Sequence, residues 1–209
     1  MMKTSHESQK KPIDLSVIVQ AALTLLQEEG LAQLTMRKLA ARLDIKGASL
    51  YWHIKNKNEL LSLIADRICK EIKPANDRAA WEEAFVLLSD QLRQTLLKYR
   101  DSAVILAETP PVTPHRLELM KNISGIFKSA GFRDKDVFSA SWMFNNYVIA
   151  FVLEEYRFRQ LAGDDREPLS VKEAELPFDI AIPDMDTEFR FGLNALIEGF
   201  RGIIAKYDD

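Results

Sequence analysis

The chain is poor in the residues that most often mark catalysis or metal binding. It has one cysteine, Cys69, and three histidines, His6, His53 and His115, in 209 residues. One thiol cannot form an internal disulfide, and the paired C-x-x-C spacing of a structural zinc site is missing. No H-E-x-x-H, G-x-S-x-G or G-x-x-x-x-G-K-[ST] pattern occurs. No catalytic residue, metal site or cofactor is expected, and an enzyme is the disfavoured class. No run approaches the ~18 uncharged apolar residues of a membrane span, so no membrane partner is expected. The opening dozen residues, MMKTSHESQKKP, lack an apolar segment and read as a disordered arm rather than an export signal. A reducing cytoplasm is the expected setting, with Cys69 as inert packing. Strand-like alternation and internal repeats are also missing.

The sequence does have helical period nearly everywhere, and an uneven charge. The net charge is −3. Residues 1–73 hold 12 Lys and Arg against 8 Asp and Glu, whereas residues 74–209 hold 16 against 23. The halves therefore carry +4 and −7, by subtraction of those counts. A basic segment in an acidic chain matters because phosphate responds to the local field rather than to the total charge.

Ile18, Ala21, Ala22, Leu25 and Leu26 make one apolar stripe behind a cap at Asp14 or Ser16, and Gly30 is a natural stop. Thr35 caps a second helix that buries Met36, Leu39, Ala40 and Leu43, and Asp44-Ile45-Lys46 forms a turn. A short third helix covers Gly47 to His53. Asn56 and Glu59 have capping-box spacing before a fourth helix that buries Leu61, Ile64, Ala65, Ile68 and Ile72 and ends before Pro74. Further helices are expected over 81–99, 101–108, 114–131, 134–161 and 187–206, with an acidic, proline-bearing loop at 162–186. The boundaries that follow are an arm at 1–12, a unit at 13–73 and a second helical unit at 74–209.

Residues 34–57, LTMRKLAARLDIKGASLYWHIKNK, carry the function. Two short helices joined by a tight turn match the helix-turn-helix plan, in which the second helix enters the major groove of duplex DNA. Gly47 and Ala48 are small enough for close approach, and Ser49 can bond a base edge or a phosphate. Tyr51, Trp52 and His53 supply ring surface and donors. Lys55 and Lys57 are placed for phosphates beside the groove, and Arg37 can reach a base or a phosphate. The competing reading is a helical hairpin with a solvated basic face. Exposed tyrosine and tryptophan beside lysines argue against it.

The stretch LTMRKLAARLDIKGASLYWHIKNKNELL resembles the signature of the tetracycline-repressor (TetR) family, and its YWH-x-KNK ending resembles the tetracycline-repressor branch. Trp81, Tyr99-Arg100-Asp101, VLEEYR at 152–157 and FRFGLNALIEGF at 189–200 extend the resemblance. The resemblance implies an all-α fold: an N-terminal three-helix helix-turn-helix DNA-binding domain, a linking fourth helix, and a C-terminal helical ligand-binding and dimerisation core. It implies DNA contacts at Arg37, Lys46, Gly47, Ala48, Ser49, Tyr51, Trp52, His53 and Lys57. It also implies a homodimer through residues 134–161 and 187–206, bound to a palindromic double-stranded operator and released by a small-molecule inducer.

The resemblance weakens at the ligand. Leu106 and Lys73 stand where the branch has drug-binding histidines, and an asparagine contact becomes apolar near Leu88. Glu154 keeps a metal-side carboxylate, but one carboxylate does not make a magnesium site. The expectation is no magnesium and no tight tetracycline binding. A pocket of Leu88, Leu92, Leu106, Phe127, Trp142 and Phe144, with Glu154, would suit an apolar or aromatic inducer, and the same residues could equally be packed core. A regulator without a small-molecule ligand, and an activator in place of a repressor, stay open.

Overall fold

The computed structural model describes residues 13–74, 79–162 and 184–207. Among these residues every regular element is helical: α1 (Leu15–Glu29), α2 (Met36–Arg42), α3 (Gly47–Tyr51), α4 (Lys57–Cys69), α5 (Trp81–Lys98), α6 (Ser102–Glu108), α7 (Pro114–Ser129), α8 (Asp134–Ala162) and α9 (Met185–Ala205). A 3-10 turn at Leu31–Gln33, not anticipated from the sequence, follows α1. The expected arm and most of the expected 162–186 loop lie outside the described residues. None of the described helices is long and apolar enough to cross a membrane.

The helix starts follow local chemistry. The Val17 N–H donates to Asp14 Oδ1 at 2.9 Å, and the Lys38 N–H donates to Thr35 Oγ1 at 3.2 Å. At α4 the Glu59 N–H donates to Asn56 Oδ1 at 2.9 Å. Glu59 returns its carboxylate to the N–H of Lys55, one residue before the cap, at 2.6 Å. The expected box thus closes one residue wider. Pro114 takes the first position of α7 as expected, but the Thr113 side chain makes no cap bond there.

Helices α1, α2 and α3 form a head, and α5 to α9 form a core. Helix α4 belongs to both, packing on α1 on one side and on α6 and α7 on the other. That double contact explains why α4 buries more than one stripe: Leu60 and Cys69 are buried beside Leu61, Ile64, Ala65 and Ile68. In the core, Phe85 meets Phe127, Phe144 and Phe200 edge to face, with centroids 5.2–6.1 Å apart. Such T-shaped contacts match the ring quadrupoles and fill space tightly.

One buried ion network ties the core helices. Arg93 of α5 donates from Nε to Glu155 of α8 at 2.8 Å and from Nη1 to Asp186 of α9 at 2.7 Å. Arg159 donates to the other Glu155 oxygen at 2.7 Å. The Arg93 guanidinium lies 4.7 Å from the Phe189 ring centroid. A buried carboxylate with two arginine partners is fully compensated, which burial requires.

A second polar clasp holds head to core. The Leu31 N–H donates to Asp101 Oδ2 at 2.7 Å, the Arg100 N–H to Gln27 Oε1 at 3.0 Å, and Arg100 Nη1 to the Glu28 carbonyl at 3.2 Å. Gly30, at φ 82°, makes room for it: a Cβ there would lie 2.9 Å from Arg100 Cζ. Gly30→Ala therefore meets two costs, a left-handed backbone and a clash with a guanidinium held by hydrogen bonds. We expect a loss of about 2 kcal/mol, read as a Tm drop of roughly 4–8 °C for a chain of this size. Gly47→Ala is the control, since nothing lies within 4 Å of a Cβ at Gly47. Its Tm should not fall.

Candidate nucleic-acid interface

The reading unit is built on a small apolar hinge. Leu39 of α2 and Leu50 of α3 are fully buried, as expected of the residues that join the two helices. Leu43 is only half-buried. Asp44 makes the turn with φ 52°, a conformation that aspartate tolerates better than most residues. Helix α3 ends at Tyr51, so Trp52 and His53 follow it as a tightening turn: the His53 N–H donates to the Leu50 carbonyl at 3.0 Å. Ile54 is buried and anchors that turn.

This geometry leaves one face open. Arg37, Lys46, Gly47, Ala48, Ser49, Tyr51, Trp52 and His53 are all exposed. Tyr51 is 54% and Trp52 88% exposed. A tryptophan left almost wholly in water carries a solvation cost that a partner surface would remove. Small residues at the start of α3 with aromatic and basic tips around them give a shape that fits the major groove and donors that fit phosphate oxygens.

Lys57 departs from the expected set. It is half-buried at the first position of α4, and its Nζ donates to the Leu31 carbonyl at 3.4 Å. The carbonyl of the 3-10 turn needs a donor, and Lys57 is within reach, so its ammonium is turned along the head rather than left free beside Tyr51.

The residues expected to line a ligand pocket are arranged differently. Leu88, Leu92, Leu106, Phe127 and Phe144 are buried in the single apolar core. Trp142 is 61% exposed on the outer side of α8. Trp142 falls outside because a step of two residues from buried Ala140, or from buried Phe144, turns a helix position by about 200°. Glu154 is exposed and pairs with Arg157 on its own helix. The carboxylate that points inward is its neighbour, Glu155. No cluster of three or more metal-ligating side chains occurs among the described residues.

Space is found instead at two seams. A cleft of about 190 Å³ lies beside the Arg100–Asp101 clasp. Another, of about 240 Å³, opens between the end of α4 and the outer face of α7. None of the seven expected pocket residues lines either cleft. At the second cleft, α4 and α7 are pinned by one pair. The His115 N–H donates to Asp66 Oδ1 at 2.8 Å, and its Nδ1 lies 2.7 Å from Oδ2. Partial burial opposes the Asp66 charge, but the bonds from His115 outweigh it and hold this carboxyl below the usual carboxylate range. A lowered folded value gives stability that is present above the unfolded value, about 3.9, and is lost as pH falls through the folded value. Asp66→Asn should therefore lower Tm by a few degrees at neutral pH, about 1 kcal/mol. The gap to the parent chain should close below about pH 4; thermal melts of both across pH measure it. Cys69, next along α4, is buried, and burial pushes its thiol up to about 11, which suits an unreactive packing residue.

Comparison with known proteins agrees with this architecture. A family model described as "Bacterial regulatory proteins, tetR family" matches residues 18–64, and one described as "Tetracyclin repressor-like, C-terminal domain" matches residues 73–204. The class A tetracycline repressor of transposon 1721 from Escherichia coli is 34% identical over 196 residues, covering 88% of each chain. An HTH-type transcriptional regulator from Saccharopolyspora erythraea is 32% identical over 182 residues, covering 84% of this chain and 77% of its own. Among solved structures, ActR from Streptomyces coelicolor in complex with (S)-DNPA superposes with a TM-score of 0.77 at 28% identity, covering 92% of this chain and 99% of its own. BioQ with its double-stranded DNA operator superposes with a TM-score of 0.69 at 28% identity, covering 88% of this chain and 96% of its own. With one helical head, one helical core and both family models in register with them, the chain belongs to the TetR family of DNA-binding transcriptional regulators and is not an enzyme.

Proposed function

We propose that the protein is a homodimeric cytoplasmic repressor that binds a near-palindromic operator and is released by a small-molecule inducer acting on its helical core. The observation that carries the reading is the open face of α3, where Tyr51 and Trp52 stand in solvent beside Lys46, Ser49 and His53. Arg37, Gly47 and Ala48 complete the contact set, and Lys57 joins it only where DNA competes for its ammonium with the Leu31 carbonyl. Two heads related by a twofold axis would read half-sites about 34–36 Å apart, or somewhat more for a longer site.

Helix α4 is the lever, because it packs on both head and core. An inducer moves the heads only through its different affinity for two settings of that lever. Shifting the population from 1:99 to 99:1 takes roughly 5.5 kcal/mol, which two ligands per dimer can share. The test is a mobility shift with a labelled palindromic site at stated salt, with unrelated duplex as competitor. Binding that unrelated DNA competes away equally would sink the operator reading.

The interlocked phenylalanines of the core favour a second reading, a regulator that needs no small molecule. A thermal-shift screen separates the two readings. Ligands that raise Tm and release DNA support induction, and a chain whose operator affinity no compound changes supports the second.

A further inference from the structure

The cleft between α4 and α7 sets a charged rim around an apolar floor. Its floor is apolar, formed by Ile72 of the segment after α4 and Leu119 of α7, both buried. Its rim is basic. Lys70 and Lys73 are exposed, and neither forms an ion pair among the described residues. His115 forms a wall whose ring is oriented by Asp66, and Glu118 is the carboxylate on the rim. Two free ammonium groups face Glu118 and, behind His115, the Asp66 carboxylate.

A third cation, on α7 itself, makes the balance positive. Arg116, the residue after His115, is only 5% exposed, and no carboxylate pairs with it among the described residues. Its donors end on the Leu106 carbonyl at 3.2 Å, Thr109 Oγ1 at 3.1 Å and the Thr109 carbonyl at 3.4 Å. Those bonds cap the end of α6, and none of them is to a carboxylate. A buried guanidinium held by carbonyl and hydroxyl dipoles, with Asp66 acting on it only through space, adds positive potential under the seam. Burial accordingly pushes the Arg116 pKa down.

We infer that this cleft binds a small monocarboxylate with a short apolar tail or a single ring, its carboxylate held by Lys70 and Lys73 and its apolar part laid on Ile72 and Leu119. The volume, about 240 Å³, is below the roughly 300–1,000 Å³ of sites for drug-sized ligands, which limits the guest to one ring or a short chain. The apolar floor disfavours inorganic phosphate, and Glu118 disfavours a dianion. The inference rests on the reading of the chain as a ligand-responsive regulator. Its further content is the chemical class of the ligand. A guest that touches the end of α4 and the face of α7 together is sensitive to their separation, so it selects one setting of the lever.

The test uses the full-length dimer and calorimetric titration with benzoate and hexanoate, against benzamide, hexanamide and inorganic phosphate. We expect a carboxylate Kd of about 1 mM or tighter, with the matched amide and phosphate weaker by at least about tenfold. Lys70→Glu and Lys73→Glu change exposed side chains and should leave Tm unchanged. Together they should weaken the carboxylate by at least about tenfold. Equal binding of acid and amide, or an unchanged Kd in the double variant, overturns the site. So does the lack of carboxylate binding in a protein that still shifts its operator, and that result leaves the DNA reading intact. Saturating carboxylate should then release operator in the mobility shift. Binding that leaves operator affinity unchanged keeps the site but overturns its link to DNA. Binding by a protein that shifts no operator keeps the site and overturns the function on which the link was built.

Discussion

Phe138→Glu combined with Trp142→Glu should convert the protein into a folded monomer and weaken operator binding by at least about a hundredfold. Phe138 is 71% and Trp142 61% exposed, one helical turn apart on α8, and Phe191 on α9 is 73% exposed. Further along α9, a Cβ at Gly199 or Gly202 would meet nothing within 4 Å, so the backbone there is open to close approach. Aromatic side chains in water beside an open helix face form a patch that monomeric soluble proteins rarely carry. Each ring removed from water contributes about 1.5–3 kcal/mol, and in a twofold dimer each substitution acts twice. A charged side chain in the same place must be desolvated for the dimer to form. The weaker DNA binding follows from geometry. Two linked heads give the second half-site a high effective concentration, and a lone head loses it. Sedimentation velocity and a mobility shift on the same samples measure both effects, with the thermal midpoint as a control for folding. A double variant that stays dimeric would show that α8 is not the contact surface.

The second large effect belongs to the reading helix. Tyr51→Ala and Trp52→Ala should each lower operator affinity by about 10–100-fold while leaving Tm within a degree or so of the parent. Both side chains are exposed, and neither makes a hydrogen bond or ring contact among the described residues, so little folding energy is at stake. Lys46→Ala should weaken binding to all sequences alike and reduce the salt dependence by about one phosphate contact per head. Leu50→Ala is the contrast, since it empties a fully buried position and should cost about 2–5 kcal/mol of stability. If Tyr51 and Trp52 variants bind operator normally at several salt concentrations, α3 is not the DNA-contacting helix.

The head was the more legible half. Its caps are short-range: Asp14, Thr35 and Asn56 each bond an N–H three residues ahead. Its stripe at Ile18, Ala22, Leu25 and Leu26 is buried as the periodicity implies. The core was legible as helices but not as a cavity. Aromatic richness over 134–161 fits a lining, a packed core and an interface equally well, and α8 divides its rings among them: Phe144 inside, Phe138 and Trp142 outside, Phe151 half-buried near the Arg93 guanidinium. In the sequence only Lys73 pointed to the α4–α7 cleft, through the drug-binding histidine it replaces, because the two walls lie some 45 residues apart in the chain and neither holds a recognisable motif.

By itself the sequence determined which segments are helical, with ends good to about two residues, that no strand forms among the described residues, and that one short helix would carry small, aromatic and basic residues together. Those features depend on hydrogen bonds and periodicity within a few residues, which any segment carries with it. The tertiary structure alone decided how side chains are directed. It turned Lys57 toward the Leu31 carbonyl, sent Glu155 inward to Arg93 while its neighbour Glu154 faced solvent, left Trp142 outside, and joined Asp66 to His115 across the seam. One residue along a helix is a rotation of about 100°, and which rotation meets a partner is set by elements that are distant in the chain.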